Sequence, residues 1–494
     1  MRQKMKQFSI GFMVMATFVL QAQNNVFLDR NYWKSNPNVA AVQSEIQKGS
    51  DPAQLNSNGF DATVYAIIEG ASNETVKFLL DQKGNDVNKI THDGRTYIFW
   101  SAYKGNTEMM QYLLDKGAKI NVLDDHGYTY LNFAAANGQA NTKVYDLGIK
   151  AGANIKKDLD HDGANALLLI APHDKDFKLT NYFISKGADL KSVDANGNTA
   201  FNYAAKSGNT AFMKMLLEKG VKFNDNAMIM ASQGTRSAAN KLELYQYLES
   251  LKINPNAIGK NGENALHAIV KKENQTEIIN YFLSKGVDVN KADNDGNTPF
   301  MNAASANSDV AVLELLASRV KDISAVNKKG VSALAFAVKN NAPEVVNFLI
   351  SKGADVNVAD ANGDNLAAYL VQYYTPQKAA FFDAKLKALE AKGFNFAAPQ
   401  KNGNTLYHLG VAKNELALVK RAETLKVDVN AKNKEGFTSL HKAAMTAQDD
   451  SIIKYLVSVG AKKDAVTDFK ETAFDLASEN ETLKKNKTSI DFLK

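Results

Sequence analysis

The side chains able to do chemistry are few, and their spacing decides how they read. The chain of 494 residues has no cysteine and seven histidines, which excludes thiol nucleophiles, disulfides and thiolate metal sites. His92, His126 and His161 each stand within two residues of a turn glycine, Gly94, Gly127 and Gly163, so they line up along one edge of whatever the turns build. Zinc needs three or four ligands converging on one point, and turns set a helix-packing distance of ~10 Å apart do not bring their imidazoles together. Asp158-Leu159-Asp160-His161-Asp162-Gly163 matches the first half of a calcium loop. Its twelfth position, where the motif needs a bidentate Glu, is Leu169, so an acidic turn is expected there. Ser451 and Lys454 have the spacing of an acyl-enzyme pair without its companion motifs. Asp and Glu are scattered with no pair set apart as acid and base, and no Gly-rich phosphate loop is present. No catalytic residue, metal or cofactor is expected.

The elements that carry these residues repeat. Turn glycines recur at Gly59, Gly94, Gly127, Gly163, Gly197, Gly262, Gly296, Gly330, Gly363, Gly403 and Gly436. The period is about 33 residues, with one turn missing between Gly197 and Gly262 and one insertion after Gly363. Most of these glycines follow Asn or Asp, residues that tolerate the positive φ of a tight turn. Asp194 to Asn224 shows the unit: a turn at Asn196-Gly197, an Ala-rich helix, a turn at Ser207-Gly208-Asn209, and a second, amphipathic helix closed by Gly220. Its apolar residues, Phe201, Ala204, Ala205, Met213, Leu216 and Leu217, cannot be covered by one helix pair, so copies must stack to bury them.

Thr298-Pro299-Phe300-Met301-Asn302-Ala303 and Thr438-Ser439-Leu440-His441-Lys442-Ala443 open first helices, and Gly353-Ala354-Asp355-Val356-Asn357 closes a unit. These segments resemble the ankyrin repeat, and the resemblance covers roughly residues 23–494. It implies an all-α fold, a solenoid of about 13 stacked helix-turn-helix units with short β-hairpin loops. It puts His267, His408 and His441 at the repeat's His position, where the imidazole hydrogen-bonds the neighbouring hairpin. It also implies a non-enzymatic protein-binding or scaffolding module, whose ligand-facing positions follow the hairpin glycines and the Ala-Ala of the first helix, on the concave side. Here those positions hold Arg95, Tyr128, Tyr103, Lys104, Lys206, Lys271, Lys272, Lys339 and Lys413. Several lysines on one face would attract an acidic partner. Inhibition or modulation of an exported enzyme is a narrower form of the same reading. An exported hydrolase is the alternative class, for which no residue set is visible.

Composition and the ends of the chain complete the expectation. At 45% hydrophobic and 23% charged, the chain can bury a large core and is not compositionally disordered. Residues 1–22 read as a secretory signal, with Arg2, Lys4 and Lys6 before an apolar run from Phe8 to Leu20 and a cleavage site at Gln21-Ala22. Losing those three charges halves the net charge of +6, too little to argue for nucleic acid. No later apolar run reaches the ~20 residues that span a bilayer, so the expected location is periplasmic or secreted. The expected segments are an N-terminal capping half-repeat at 23–56, repeats over 57–225, a degenerate copy without a clear hairpin turn at 226–260, repeats over 261–466, and a C-terminal cap at 467–494. An insertion near 371–384 brings Tyr373 and Tyr374 as further candidate contacts.

Overall fold

The computed structural model describes residues 25–235 and 239–494; the expected signal at 1–22 lies outside them. The described chain is helical, and thirteen helix pairs follow one another from Ala62–Glu69 to Glu481–Lys485. The described residues form two compact units, one of those up to 203 with 214–222, the other of 204–213 with those from 223 on. Within each unit the helix pairs stack, and first helix packs on first helix because its short Ala-rich face allows close approach. Ala333–Asn340 illustrates this, with Ala333, Leu334, Ala335, Ala337 and Val338 all buried. The second helix, Pro343–Ser351, starts on a proline, which lacks only the N–H that a first turn leaves unused.

The turns owe their shape to the residue three before the glycine as much as to the Asx-Gly dipeptide. Asp194 Oδ1 accepts from the backbone N–H groups of Asn196 and Asn198 at 2.8 and 2.9 Å, and Asn327 does the same for Lys329 and Val331 at 2.9 Å. A short carboxylate or amide bonding the backbone two residues on is the Asx-turn mechanism. The hairpin arms are short. They reach only single bridges, at Val326 with Ser332, Ala359 with Asn365 and Val466 with Thr472, and no strand forms among the described residues.

Two segments correct the sequence reading. The N-terminal unit does not lack its first helix: Arg30–Lys34 stands in that place, with Phe27 and Trp33 fully buried and the Trp33 indole N–H donating to the Phe27 carbonyl at 2.9 Å. The insertion is not a free loop. It forms the 3-10 turn Pro376–Lys378 and lengthens the second helix to Ala379–Ala391. Tyr373 and Tyr374 are buried, with the Tyr374 ring packed edge-on against Phe382 at 5.2 Å, so they anchor the inserted helix instead of standing exposed on a loop.

That helix carries a feature that periodicity does not announce. Lys385 is fully buried. Its ammonium donates to the Val338 carbonyl at 2.9 Å, near the end of Ala333–Asn340, and lies 3.2 Å from the centroid of the Tyr373 ring. Burial, aided by the Lys378 charge, brings its pKa down to about 7. The folded state therefore binds fewer protons than the unfolded state between about 7 and the ordinary 10.5, and stability must rise with pH through that window. Chemical denaturation at pH 7 and 9 should show a gain of up to ~2 kcal/mol in the wild type, and Lys385→Met should lack it.

Candidate interaction surface

The degenerate copy leaves an opening. Its first helix, Asn226–Gln233, begins after residues 221–225, which carry no Asx-Gly turn, so no hairpin of that copy stands over Ile229 and Ser232. A groove of about 580 Å³ occupies the space, bounded by Gln233, Lys271, Lys272, Glu263, Asp293 and Asp295. Lys272 donates to the Ser232 and Gln233 carbonyls at 3.0 and 2.7 Å, where the end of a helix favours a cation; burial lowers its pKa. Lys271 stays exposed. Glu263 and the turn acids Asp293 and Asp295 line the same groove. The sequence reading found the lysines and missed these acids. Both turns were legible, but that their acids line one groove with Lys271 and Lys272 is a tertiary fact.

The remaining expected positions divide by burial. Lys104, Lys339 and Lys413 are exposed, and Lys206 is half-buried. Lys413 reaches the Gln372 carbonyl at 3.4 Å, and the Lys206 carbonyl accepts from Asn240 at 3.1 Å. Tyr103 is half-buried and packs on Phe133 at 5.7 Å. Tyr128 is half-buried too, its hydroxyl pushed up to about 12 by burial and by Asp160, Asp124 and Asp162. Arg95 is a correction. It is buried, with Nε 2.8 Å from Asp124, Nη1 3.1 Å from Asp93 and the guanidinium 4.1 Å from the Phe133 ring. It pins the next turn in place from inside the fold.

The histidines take structural places. His441 Nδ1 accepts the Thr438 N–H at 3.1 Å, so Nε2 carries the proton and donates to the Ala465 carbonyl at 2.9 Å. His408 does the same between Thr405 and Phe437, at 3.1 and 3.0 Å, and His267 Nε2 lies 3.1 Å from the Asn297 carbonyl. Burial lowers all three pKa values below the ordinary 6.5. A depressed folded pKa gives stability that is present above the unfolded value and lost as pH falls through the folded one. Melting temperature should therefore drop between pH 7 and 5. His441→Asn, which keeps a cap acceptor, should flatten part of that drop.

The row at the turns forms, but around a carboxylate. His92 Nε2 and His126 Nε2 each lie 3.3 Å from Asp93 Oδ2. Burial works against ionisation of Asp93, yet the imidazoles and Arg95 outweigh it and hold the carboxyl below its usual range. In the calcium-like segment, Asp160 Oδ1 accepts from Asp162 and Ala164 at 2.9 and 2.8 Å, the geometry of the other turns. Among the described residues no group of three His, Asp or Glu side chains is placed to hold a metal ion, and no helix is long and apolar enough to cross a membrane.

Comparison with known proteins agrees with this construction. The family model described as ankyrin repeats in three copies matches residues 34–124, 63–157, 131–227, 227–327 and 266–360. The chain is 27% identical over 306 residues to alpha-latroinsectotoxin-Lt1a of Latrodectus tredecimguttatus, covering 58% of this chain and 20% of the toxin. It is 27% identical over 192 residues to Rabankyrin-5 of Mus musculus, covering 36% of this chain and 16% of that protein. It is 26% identical over 201 residues to ankyrin repeat protein OPG189 of monkeypox virus, covering 40% and 34%. The chain thus spans a minor part of each relative. The crystal structure of the ankyrin repeat domain of Bcl-3 aligns over 46% of this chain and 100% of that domain, at 20% identity and a TM-score of 0.37. With stacked helix pairs, Asx-stapled turns and His-to-hairpin hydrogen bonds in place, and with the family model matching most of residues 34–360 in overlapping runs, the chain belongs to the ankyrin-repeat family.

Proposed function

We propose that this chain is a non-enzymatic protein-binding module that takes an acidic partner onto the first-helix ends of its second unit. One observation carries the reading. Lys271, Lys339 and Lys413 are exposed just after or within the last turns of Leu266–Ile269, Ala333–Asn340 and Leu406–Ala412. Among the described residues none of the three has a carboxylate within ion-pair distance. Solvated cations left without a carboxylate near the ends of successive first helices raise encounter rates with an acidic surface more than they stabilise the fold. The groove that Lys271 lines together with Glu263, Asp293 and Asp295 supplies a place where a polar segment of that partner can lie.

Export completes the proposal, supported by the basic and apolar pattern of residues 1–22. A mass spectrum of the chain from its native cells should show a mature N-terminus at Gln23; an intact Met1 would overturn export by cleavage. For the binding reading, the tagged chain is recovered from the native cell envelope. A stoichiometric protein that dissociates as salt rises supports it. Turnover by the isolated chain, abolished by a single Asp or His substitution, overturns it.

A further inference from the structure

Five successive repeats of the first unit present a large apolar side chain to solvent at one register position. Leu55, Ile90, Leu123, Leu159 and Val193 are each between 41% and 56% exposed. Each immediately precedes the residue whose N–H closes a turn: Asn56 to Phe60, Thr91 to Arg95, Asp124 to Tyr128, Asp160 to Ala164 and Asp194 to Asn198. Backbone bonds hold neighbouring turns in step, His92 N–H to the Gly59 carbonyl at 2.8 Å, Asp125 to Asp93 at 2.9 Å and Ala195 to Asp162 at 2.7 Å. Between the third and fourth turns the contact is made by a side chain instead, the His161 ring lying against Gly127, and the five side chains are rungs of one column along the turn edge. A contiguous exposed apolar surface on a soluble fold marks a contact.

The second unit provides an internal comparison. Its equivalent positions are Ile258, Ala292, Val326, Ala359, Pro399, Lys432 and Val466, so the column is broken and the repeat does not itself require it. The charges differ as well. Between rung and glycine, the first unit has no lysine or arginine and carries Asp93, Asp124, Asp125, Asp160, Asp162 and Asp194, whereas the second mixes Lys260, Lys328, Lys329, Lys401 and Lys434 with Asp293, Asp295, Asp360 and Glu435. Asp93 is matched by Arg95 and two imidazoles. Asp125 and Asp160 have no cation within ion-pair distance among the described residues.

We propose that this column docks an amphipathic helix of a partner protein whose apolar seam is flanked by lysine or arginine. The spacing selects the helix. Repeats stack at ~10 Å, and seven residues of α-helix advance ~10.5 Å, so a heptad seam meets every rung. An extended strand covers ~10 Å in three residues, but its side chains alternate faces, and every second rung would lose its contact. The flanking bases answer the acids of the turns. The lysine face of the second unit plays no part here.

The test is a fluorescent 35-residue helical peptide with leucine at heptad spacing and flanking lysines, titrated into the full chain. Controls are the same peptide with glutamates as flanks and a proline-rich peptide of equal length and charge. Saturable one-to-one binding is expected, at least tenfold weaker for the glutamate peptide. It should weaken at least tenfold in Ile90→Asp with Leu123→Asp, and as much in Leu159→Ser with Val193→Ser should the first variant unfold. Ala292→Asp should change nothing. Absence of saturable binding, equal affinity for both flanks, tighter binding of the proline-rich peptide, or insensitivity to both column variants overturns the proposal. So does a dimer in sedimentation that the column variants dissolve, because the occupant is then a second copy of the chain.

Discussion

Replacing Arg95 by leucine should cost the first unit ~3–5 kcal/mol, the range for removing one partner of a buried ion pair. The Asp124 side chain is fully buried. Its Oδ1 organises the turn by accepting from His126 and Tyr128 at 3.0 and 2.9 Å, and its Oδ2 depends on Arg95 Nε at 2.8 Å. Leucine fills the space over Phe133 and Trp100 but leaves that carboxylate without a cation. Arg95→Lys should cost less but still more than 1 kcal/mol, because a point charge cannot bridge Asp124 and Asp93 as the planar fork does. Lys104→Ala, exposed on the same face, should stay within ~0.5 kcal/mol. Urea denaturation followed by amide exchange at His126 and Tyr128 distinguishes these outcomes. Equal exchange in Arg95→Leu and wild type would show that the pin is not needed.

Gly330→Ala should destabilise the second unit by ~3 kcal/mol, against ~1 kcal/mol for Gly353→Ala. Both glycines have positive φ, +76° and +88°, and a left-handed backbone costs an L-residue about 1–2 kcal/mol. The environments differ. A Cβ on Gly353 meets nothing within 4 Å, whereas on Gly330 it lies 2.9 Å from the Ala361 backbone nitrogen. That nitrogen donates to the Lys329 carbonyl at 2.8 Å, the bond that joins neighbouring turns. Overpacking against backbone adds a further ~1–3 kcal/mol. In a stack whose stability is set by nearest-neighbour interfaces, the loss should appear as local opening around residues 327–365. Equal unfolding midpoints for the two variants would refute the distinction.

The fold was legible because a repeat states its rule many times. The Asx-Gly turns, the Ala-rich first helices and the closing glycines are local signals, set by positive φ and by helix ends. Where the signal is tertiary, residue type misled. Arg95 follows a turn glycine like other surface positions, but Asp124 one repeat later and the Phe133 ring draw it inside. Tyr373 and Tyr374 sit in extra sequence, which commonly forms an exposed loop; the added length went into Ala379–Ala391, whose Phe382 packs on Tyr374 and whose Lys385 lies over the Tyr373 ring. Lys385 is buried against expectation for its type, because its ammonium lies over the Tyr373 ring and finds a helix-end carbonyl. Lys104, Lys271, Lys339 and Lys413 are exposed, as expected of lysine near the end of a surface helix.

The most direct test of the binding account is the affinity of the recovered partner for the wild-type chain and for Lys271→Glu with Lys339→Glu and Lys413→Glu, measured by calorimetry at low and at physiological salt. Binding that weakens at least tenfold in the variant, and that falls with salt in the wild type far more than in the variant, is the predicted result. Equal affinity for both proteins, unchanged by salt, would contradict it.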